Sequence, residues 1–273
     1  MTIKLGIGSY AFAWSIGVPG YPLPDSPMRH QDFLQFAVDL GLHVAQIADN
    51  LPLHSLSDEQ RAALKAYADA NQLAVEVGTR GIQPENVRPY LNIAHQFGSP
   101  ILRVVVDSAG FEPDDDEVVA IVTNLLPEFE ARNIILAIEN HDRFRAAQLV
   151  NILKAIDSPF VGICLDTVNS FGSLEGPQVV VEQLGPYVVN LHVKDFLIRR
   201  QDHNMGFLLE GTPAGVGMLD VPWLLNALQQ YGRDFSAIIE LWPAPEADMN
   251  QTALKEQQWA RASVKTLRQW IQE

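Results

Sequence analysis

Four residues able to bind a cation stand at equivalent places in the chain. Each lies at or just beyond a short apolar run, in the stretches Ile138-Glu139-Asn140-His141, Leu165-Asp166-Thr167, Asn190-Leu191-His192-Val193-Lys194-Asp195 and Ile239-Glu240-Leu241-Trp242. Such a side chain sits at the rim of its element, not midway along a helix. If the runs are strands, side chains alternate between two faces. With Glu139 inward, Ala137 and Ile135 are inward too. The same parity puts Gly162 and Cys164 below Asp166, Asn190 below His192 and Ile238 below Glu240. Neighbouring strands lie about 4.8 Å apart, so four consecutive strand tips can converge on one ion. As separate rim polars these residues would need only ordinary hydrogen bonds. Three carboxylates and an imidazole at one level would repel unless a cation or protonation relieves them. Glu139, Asp166, His192 and Glu240 are therefore expected to hold one divalent metal ion. The oxygen-rich set favours Mn²⁺ and admits Mg²⁺, Co²⁺ or Zn²⁺. Three carboxylates against a divalent ion leave one negative charge.

The elements that must position these residues follow a regular rhythm. Short apolar, β-branched runs occur at 4–8, 43–48, 73–77, 101–106, 134–138, 160–165, 188–193 and 237–241. Amphipathic stretches lie between them, at 58–70 (Leu64, Tyr67 and Ala68 on one face), 115–131 and 146–156, and a last helix spans about 251–271. Gly41, Gly98-Ser99-Pro100 and Ser158-Pro159 fall where turns are needed. Eight βα units predict an α/β fold, a single (β/α)₈ TIM barrel covering 1–273 as one domain. An open doubly wound sheet would carry a glycine-rich turn after its first strand. Here Gly6-x-Gly8 runs into Ser9-Tyr10-Ala11, which is not that fingerprint. Two long segments, 14–27 and 196–218, read as structureless loops on the C-terminal side of their strands, where such barrels keep their chemistry.

Composition narrows the class. With 47% hydrophobic and 19% charged residues the chain can bury a sizeable core. No apolar run reaches the roughly 20 residues of a membrane helix, and Met1-Thr2-Ile3-Lys4 does not open a signal peptide. These features predict a soluble, cytoplasmic protein with no membrane partner. A net charge of −14, with Arg199-Arg200 the longest basic run, argues against a nucleic-acid partner. Cys164 is the one cysteine, so no internal disulfide exists, and its apolar surroundings suit a buried core residue better than a reactive thiol.

The stretches Ile138-Glu139-Asn140, 164–169, 190–195 and 238–241 resemble the xylose isomerase-like barrel superfamily of sugar isomerases, ketose 3-epimerases, inosose dehydratases and the endonuclease IV group. The resemblance runs over essentially the whole chain. It implies that Glu139 and Glu240 are ligands and also acid/base candidates, while the metal polarises a carbonyl and stabilises an enediolate. Family members often carry a His three residues after the strand-six Asp. Here that residue is Asn169, which puts the polyol contact expected from that His in doubt. The nuclease branch needs further His ligands and a DNA-binding surface. Seven His and the acidic balance argue against it.

Cationic groups surround the expected mouth: Arg80, His141, Arg143, Lys194 and, in the long loop, His203. They suit an anionic substrate such as a sugar acid, since Arg matches a carboxylate bidentately. The plainer reading is that each neutralises a neighbour such as Asp142 or Asp195. Arg103 and Glu76 lie inside apolar runs and are expected to pair with each other in the barrel. His54 follows strand two on the substrate side, whereas His43 lies on the opposite, stability face. Trp14 and Trp242 are candidate pocket walls. The phrases IGSYAFAW, QIADNLPLH, EVGTRGI and ENHDRF also resemble the branch of 3-oxo-isoapionate decarboxylases. That resemblance implies a carbon–carbon lyase, with Glu139, Glu240 or His141 supplying a proton after loss of CO₂. The alternatives are a sugar isomerase or ketose 3-epimerase and a non-catalytic sugar-binding barrel. The expected partner is a small sugar or sugar acid, and a homo-oligomer is compatible with the chain.

Overall fold

A computed structural model describes residues 2–271; Met1, part of the N-terminal stretch read above, lies outside them. Eight parallel strands close into a barrel: β1 (Ile3–Gly8), β2 (Val44–Ile47), β3 (Ala74–Arg80), β4 (Ile101–Val105), β5 (Ile135–Glu139), β6 (Val161–Asp166), β7 (Val188–Val193) and, after an inserted hairpin, β10 (Phe235–Ile239). The β10 strand pairs with both β7 and β1, which closes the ring. The predicted (β/α)₈ architecture is therefore the observed one.

Helices α1 (Ala13–Ile16), α2 (His30–Asp39), α3 (Asp58–Ala70), α4 (Pro84–Phe97), α5 (Asp115–Arg132), α6 (Ala146–Ile156), α7 (Pro177–Leu184), α8 (Val221–Gln229) and α9 (Met249–Leu267) accompany the strands. Their ends follow from local chemistry. Ser57 with Gln60, and Asp114 with Glu117, form reciprocal capping boxes that start α3 and α5. Pro84 opens α4, and Gly98 closes it in the left-handed region at φ 70°. No described helix is long and apolar enough to cross a membrane.

The main core lies between the strands and the helices, where Leu5, Ile7, Val77, Leu102, Leu136, Leu165 and Leu191 point outward. Inside the barrel, Ile101, Ala137 and Cys164 form a small apolar cluster. This accords with Cys164 as a buried core residue. A side chain at Gly8 would come within 3.2 Å of Glu240 Cγ, so the missing Cβ leaves Glu240 its place.

The segment 196–218 is not structureless. It contains an antiparallel hairpin, β8 (Asp195–Arg200) and β9 (Phe207–Thr212), paired from Asp195–Thr212 to Arg200–Phe207. Asn204 and Gly206 take positive φ at its turn. The hairpin is anchored by Asp195, whose buried carboxylate accepts from the backbone amides of Phe196, Gly215, Gly217 and Leu219. Asp195 thus binds amides, not a cation as the sequence suggested.

Candidate metal centre

The ends of β5, β6 and β7 and the residue after β10 bring Glu139, Asp166, His192 and Glu240 together, all at 1% exposure or less. His192 Nδ1 lies 3.5 Å from Glu139 Oε2, 3.7 Å from Asp166 Oδ2 and 3.4 Å from Glu240 Oε1. His192 Nδ1 and Glu240 Oε1 are buried and lack a partner, while the buried Asp166 Oδ2 and Glu240 Oε2 meet only the Lys194 ammonium. Buried polar atoms are rarely left so. Donor atoms roughly 3–3.5 Å apart are what a cation with ligand distances near 2.1 Å requires of its shell. The atoms of Asp166, His192 and Glu240 form one group that could hold a metal ion, and those of Glu139, Cys164 and His192 a second, overlapping one. The donor set thus fits a divalent cation.

The surroundings orient each carboxylate. Asp166 Oδ1 accepts from the backbone amides of Val168 at 2.8 Å and Asn169 at 2.9 Å, leaving Oδ2 directed inward. Asn169 donates from Nδ2 to Glu139 Oε1 at 2.7 Å and accepts from Lys194 Nζ at 3.2 Å. Asn169 therefore bridges a carboxylate and a cation in the centre itself.

Two cations stand inside the cluster. Lys194 Nζ lies 2.7 Å from Asp166 Oδ2 and 3.1 Å from Glu240 Oε2. Arg103 donates from Nε to Glu139 Oε2 and lies 3.3 Å from Asp49 Oδ1 through Nη1. The expected Glu76–Arg103 pair does not form. Arg103 stands opposite Gly78, one inward position above Glu76, because the stagger of the barrel offsets β4 against β3. The charge count changes accordingly. Glu139, Asp166 and Glu240 contribute −3 and Arg103 and Lys194 +2; a divalent ion would bring the sum to +1, or to zero with Asp49 included. The single negative charge expected of the ligands with a divalent ion left these two cations out of the count.

These charges act on one another. Burial works to raise the Asp166 and Glu240 carboxyls, but Lys194 and His192 outweigh it and hold both below the usual carboxylate range. Burial works to lower Lys194, yet Asp166 and the two glutamates push it well above its ordinary value.

The other candidates divide. At the rim, Arg80 Nη2 lies 3.1 Å from His141 Nε2, while His141 Nδ1 lies 3.0 Å from Asp142 Oδ2. Arg80 Nε is also 3.6 Å from Asp49 Oδ2. Arg143 is drawn the other way: it binds Asp107 at 2.6 Å and the Pro113 carbonyl at 2.8 Å. His203 is exposed near the hairpin turn, where it bonds to Gln201. His54 bonds through Nδ1 to the Tyr90 hydroxyl on α4 at 2.7 Å. None of these last three contacts the four clustered residues. Trp14 is tied to the Pro243 carbonyl and meets Tyr21 edge-on. Trp242 packs against the core, and its indole N–H is buried without a partner.

Sequence reasoning missed Tyr10, Gln46 and Asp49. The Tyr10 hydroxyl donates to Asp49 Oδ2 at 2.9 Å, and Asp49 lies between Arg80 and Arg103. A usable signal was Gln46, a polar residue within the apolar run Val44-Ala45-Gln46-Ile47.

Comparisons with known proteins bear on the family and the fold. A 3-oxo-isoapionate decarboxylase of Pectobacterium atrosepticum is 33% identical over 267 residues, covering 97% of this chain and 95% of the relative. Among solved structures, D-psicose 3-epimerase from Clostridium cellulolyticum H10, crystallised with D-tagatose, superposes with a TM-score of 0.74 at 17% identity, covering 99% of this chain and 100% of that one. A xylose isomerase-like TIM barrel protein from Mycobacterium smegmatis in complex with magnesium gives a TM-score of 0.68 at 15% identity, covering 96% and 98%. The family profile described as xylose isomerase-like TIM barrel matches residues 8–270, and the chain belongs to that family.

Proposed function

We propose that the protein is a divalent-metal-dependent carbon–carbon lyase that decarboxylates a 3-oxo sugar acid, of which 3-oxo-isoapionate is the best single candidate. The observation that carries this reading is the pair of cations, buried Arg103 and half-buried Lys194, among the ligands. With a divalent ion they make the centre neutral or positive, which suits an anionic substrate. The 33% identity to a 3-oxo-isoapionate decarboxylase over nearly the full length supports it.

Glu139, Asp166, His192 and Glu240 would hold the ion, and Mn²⁺ suits three carboxylates and one imidazole. When bound, the ion supplies Lewis-acid polarisation of the substrate carbonyl. Decarboxylation breaks the bond between the carboxylate carbon and its neighbour. The bonding pair moves toward the 3-oxo group, CO₂ departs, and the resulting enediolate needs one proton at carbon. Glu139 has both oxygens engaged, by Arg103 and Asn169, and serves as a fixed ligand. Glu240 is kept an anion by the Lys194 ammonium, 3.1 Å from its Oε2. His141 is the proton donor in this reading. Asp142 stands against its Nδ1, and Nε2 accepts from Arg80 until the substrate carboxylate draws that guanidinium away, which frees Nε2 to take a proton from solvent and give it to carbon. Arg80 receives the substrate carboxylate before it leaves.

The second reading is proton exchange on a ketose by Glu139 and Glu240. One observation favours it: Glu240 Oε1 has no hydrogen-bond partner, so one oxygen of that carboxylate is open to a substrate proton while Lys194 stands against the other. The test is to incubate Mn²⁺-loaded protein in D₂O with 3-oxo sugar acids and, separately, with ketoses. CO₂ release from an acid is the expected result. Deuterium exchange into a ketose without CO₂ from any acid would replace the first reading with the second. Glu240→Gln keeping both full metal content and full rate would remove Glu240 from either scheme.

A further inference from the structure

Beneath the ligand cluster lies a set of polar side chains with no part in the proposed reaction: Gln46 on β2, Glu76 on β3, Asn190 on β7 and Ser236 on β10, all buried. The register sets Gln46 beside Glu76 and Ser236 beside Asn190. Barrel interiors at this level are mostly branched and apolar. Polar groups there are costly unless donors and acceptors are matched. They are matched, and the match has a direction. Glu76 Oε2 accepts from Gln46 Nε2 and Asn190 Nδ2, each at 3.0 Å, and Glu76 Oε1 accepts from Ser236 Oγ at 2.6 Å. Gln46 Nε2 also donates to Asn190 Oδ1 at 3.0 Å, and that oxygen receives the Cys164 thiol at 3.2 Å.

The Gln46 amide therefore cannot be turned over. A flip would set its carbonyl against Glu76 Oε2 and Asn190 Oδ1, both acceptors. With Nε2 so committed, Gln46 Oε1 is left facing His192 Nε2 at 2.7 Å. An acceptor at that place requires a proton on Nε2. In a neutral imidazole the lone pair then lies on Nδ1, the atom that faces Glu139, Asp166 and Glu240.

We infer that Gln46 is a positioning residue: held in one orientation by Glu76 and Asn190, it fixes His192 in the Nε2–H tautomer and presents Nδ1 as the ligand atom. The inference rests on the metal reading of the centre. Losing such a partner behind a ligating imidazole typically weakens metal binding about ten- to a hundredfold. Here the partner is an amide whose own orientation is set by a carboxylate one hydrogen bond further away.

The test uses the full chain, labelled with ¹⁵N at histidine and loaded with diamagnetic Zn²⁺. Long-range ¹H–¹⁵N spectra of His192 and Zn²⁺ affinity by chelator competition are compared for wild type and Gln46→Met, which keeps the volume and deletes the acceptor. The wild type should show a slowly exchanging proton on Nε2 and a coordinated Nδ1. Gln46→Met should lose that slow exchange and bind Zn²⁺ about ten- to a hundredfold more weakly. Unchanged affinity in Gln46→Met would overturn the inference while leaving the metal reading intact. Should that variant not fold, the wild-type spectrum decides: His192 coordinated through Nε2 overturns the inference. A wild type that takes up no Zn²⁺ overturns the metal reading, and the inference with it.

Discussion

Arg103 on β4 donates from its Nε to Glu139 Oε2 on β5, and both side chains are enclosed by the barrel. A buried ion pair that loses one partner leaves an uncompensated charge, at a cost of about 3–5 kcal/mol. Arg103→Met is therefore expected to lower stability by that order in metal-free protein. The same change removes a positive charge from a cluster of three carboxylates, so added Mn²⁺ should recover more stability in the variant than in wild type. Thermal unfolding with and without Mn²⁺ checks both parts. Equal losses in the two conditions would show that Arg103 does not act on the cation site.

Metal addition to the wild type is the more direct test. His192 Nδ1 and Glu240 Oε1 have no partner, and Asp166 Oδ2 and Glu240 Oε2 have only Lys194, so a bound metal ion would satisfy atoms that the protein leaves open. A ligand at a hundred times its Kd stabilises by about 2.7 kcal/mol. For a chain of this size that corresponds to a rise in Tm of roughly 5 °C. Differential scanning fluorimetry after EDTA treatment, with Mn²⁺, Mg²⁺, Co²⁺ and Zn²⁺ restored in turn, measures the rise and ranks the ions. No rise with any of the four would sink the metal assignment.

The four central residues were legible because the strand period of two is a local property. Glu139, Asp166, His192 and Glu240 each sit at the end of an apolar run, and parity alone turns them toward one another. Arg103 was legible as buried but not as Glu139's partner. Which inward residues meet depends on how strands are offset around the ring, and the register sets Arg103 against Gly78. Gln46 and Asn190 are 144 positions apart, and nothing in either local pattern announces their hydrogen bond. The β8–β9 hairpin was missed because its outer faces are solvated. Exposed Leu197, Ile198 and Phe207 mix there with Arg199, Arg200 and Glu210, which blurs the alternation.

Asp195 is expected to control that hairpin. Its Oδ2 accepts from the Gly215 and Gly217 amides at 2.9 and 2.8 Å, and its Oδ1 from Leu219 at 3.0 Å. In Asp195→Asn one acceptor becomes an NH₂ facing backbone donors. Hydrogen bonds to a charged group contribute about 1.5–3 kcal/mol each, so a loss of roughly 3 kcal/mol is expected in urea unfolding. Limited proteolysis should open the turn at 201–206 sooner in the variant. A variant as stable and as protease-resistant as the wild type would show that the hairpin is held by its strand pairing alone.

Glu256 on α9 should make stability depend on pH. Its carboxylate accepts from the backbone amides of Trp14 at 2.9 Å and Ser15 at 2.8 Å, and from the Ser15 hydroxyl at 2.6 Å, pinning α1 beside the barrel mouth. Burial is the larger effect and raises the carboxyl from 4.5 to about 7, against the pull of those three donors. The folded chain therefore holds this proton more tightly than the unfolded chain does. The stability linked to it is complete below about pH 4.5, declines as pH rises, and is lost above about pH 7. The difference amounts to about 3 kcal/mol. Glu256→Gln cannot titrate, so the unfolding free energy of wild type relative to this variant should fall by that amount between pH 4.5 and pH 8. Urea denaturation of both proteins across this range measures it. A difference independent of pH would mean that Glu256 stays ionised throughout, with the three hydrogen bonds outweighing burial.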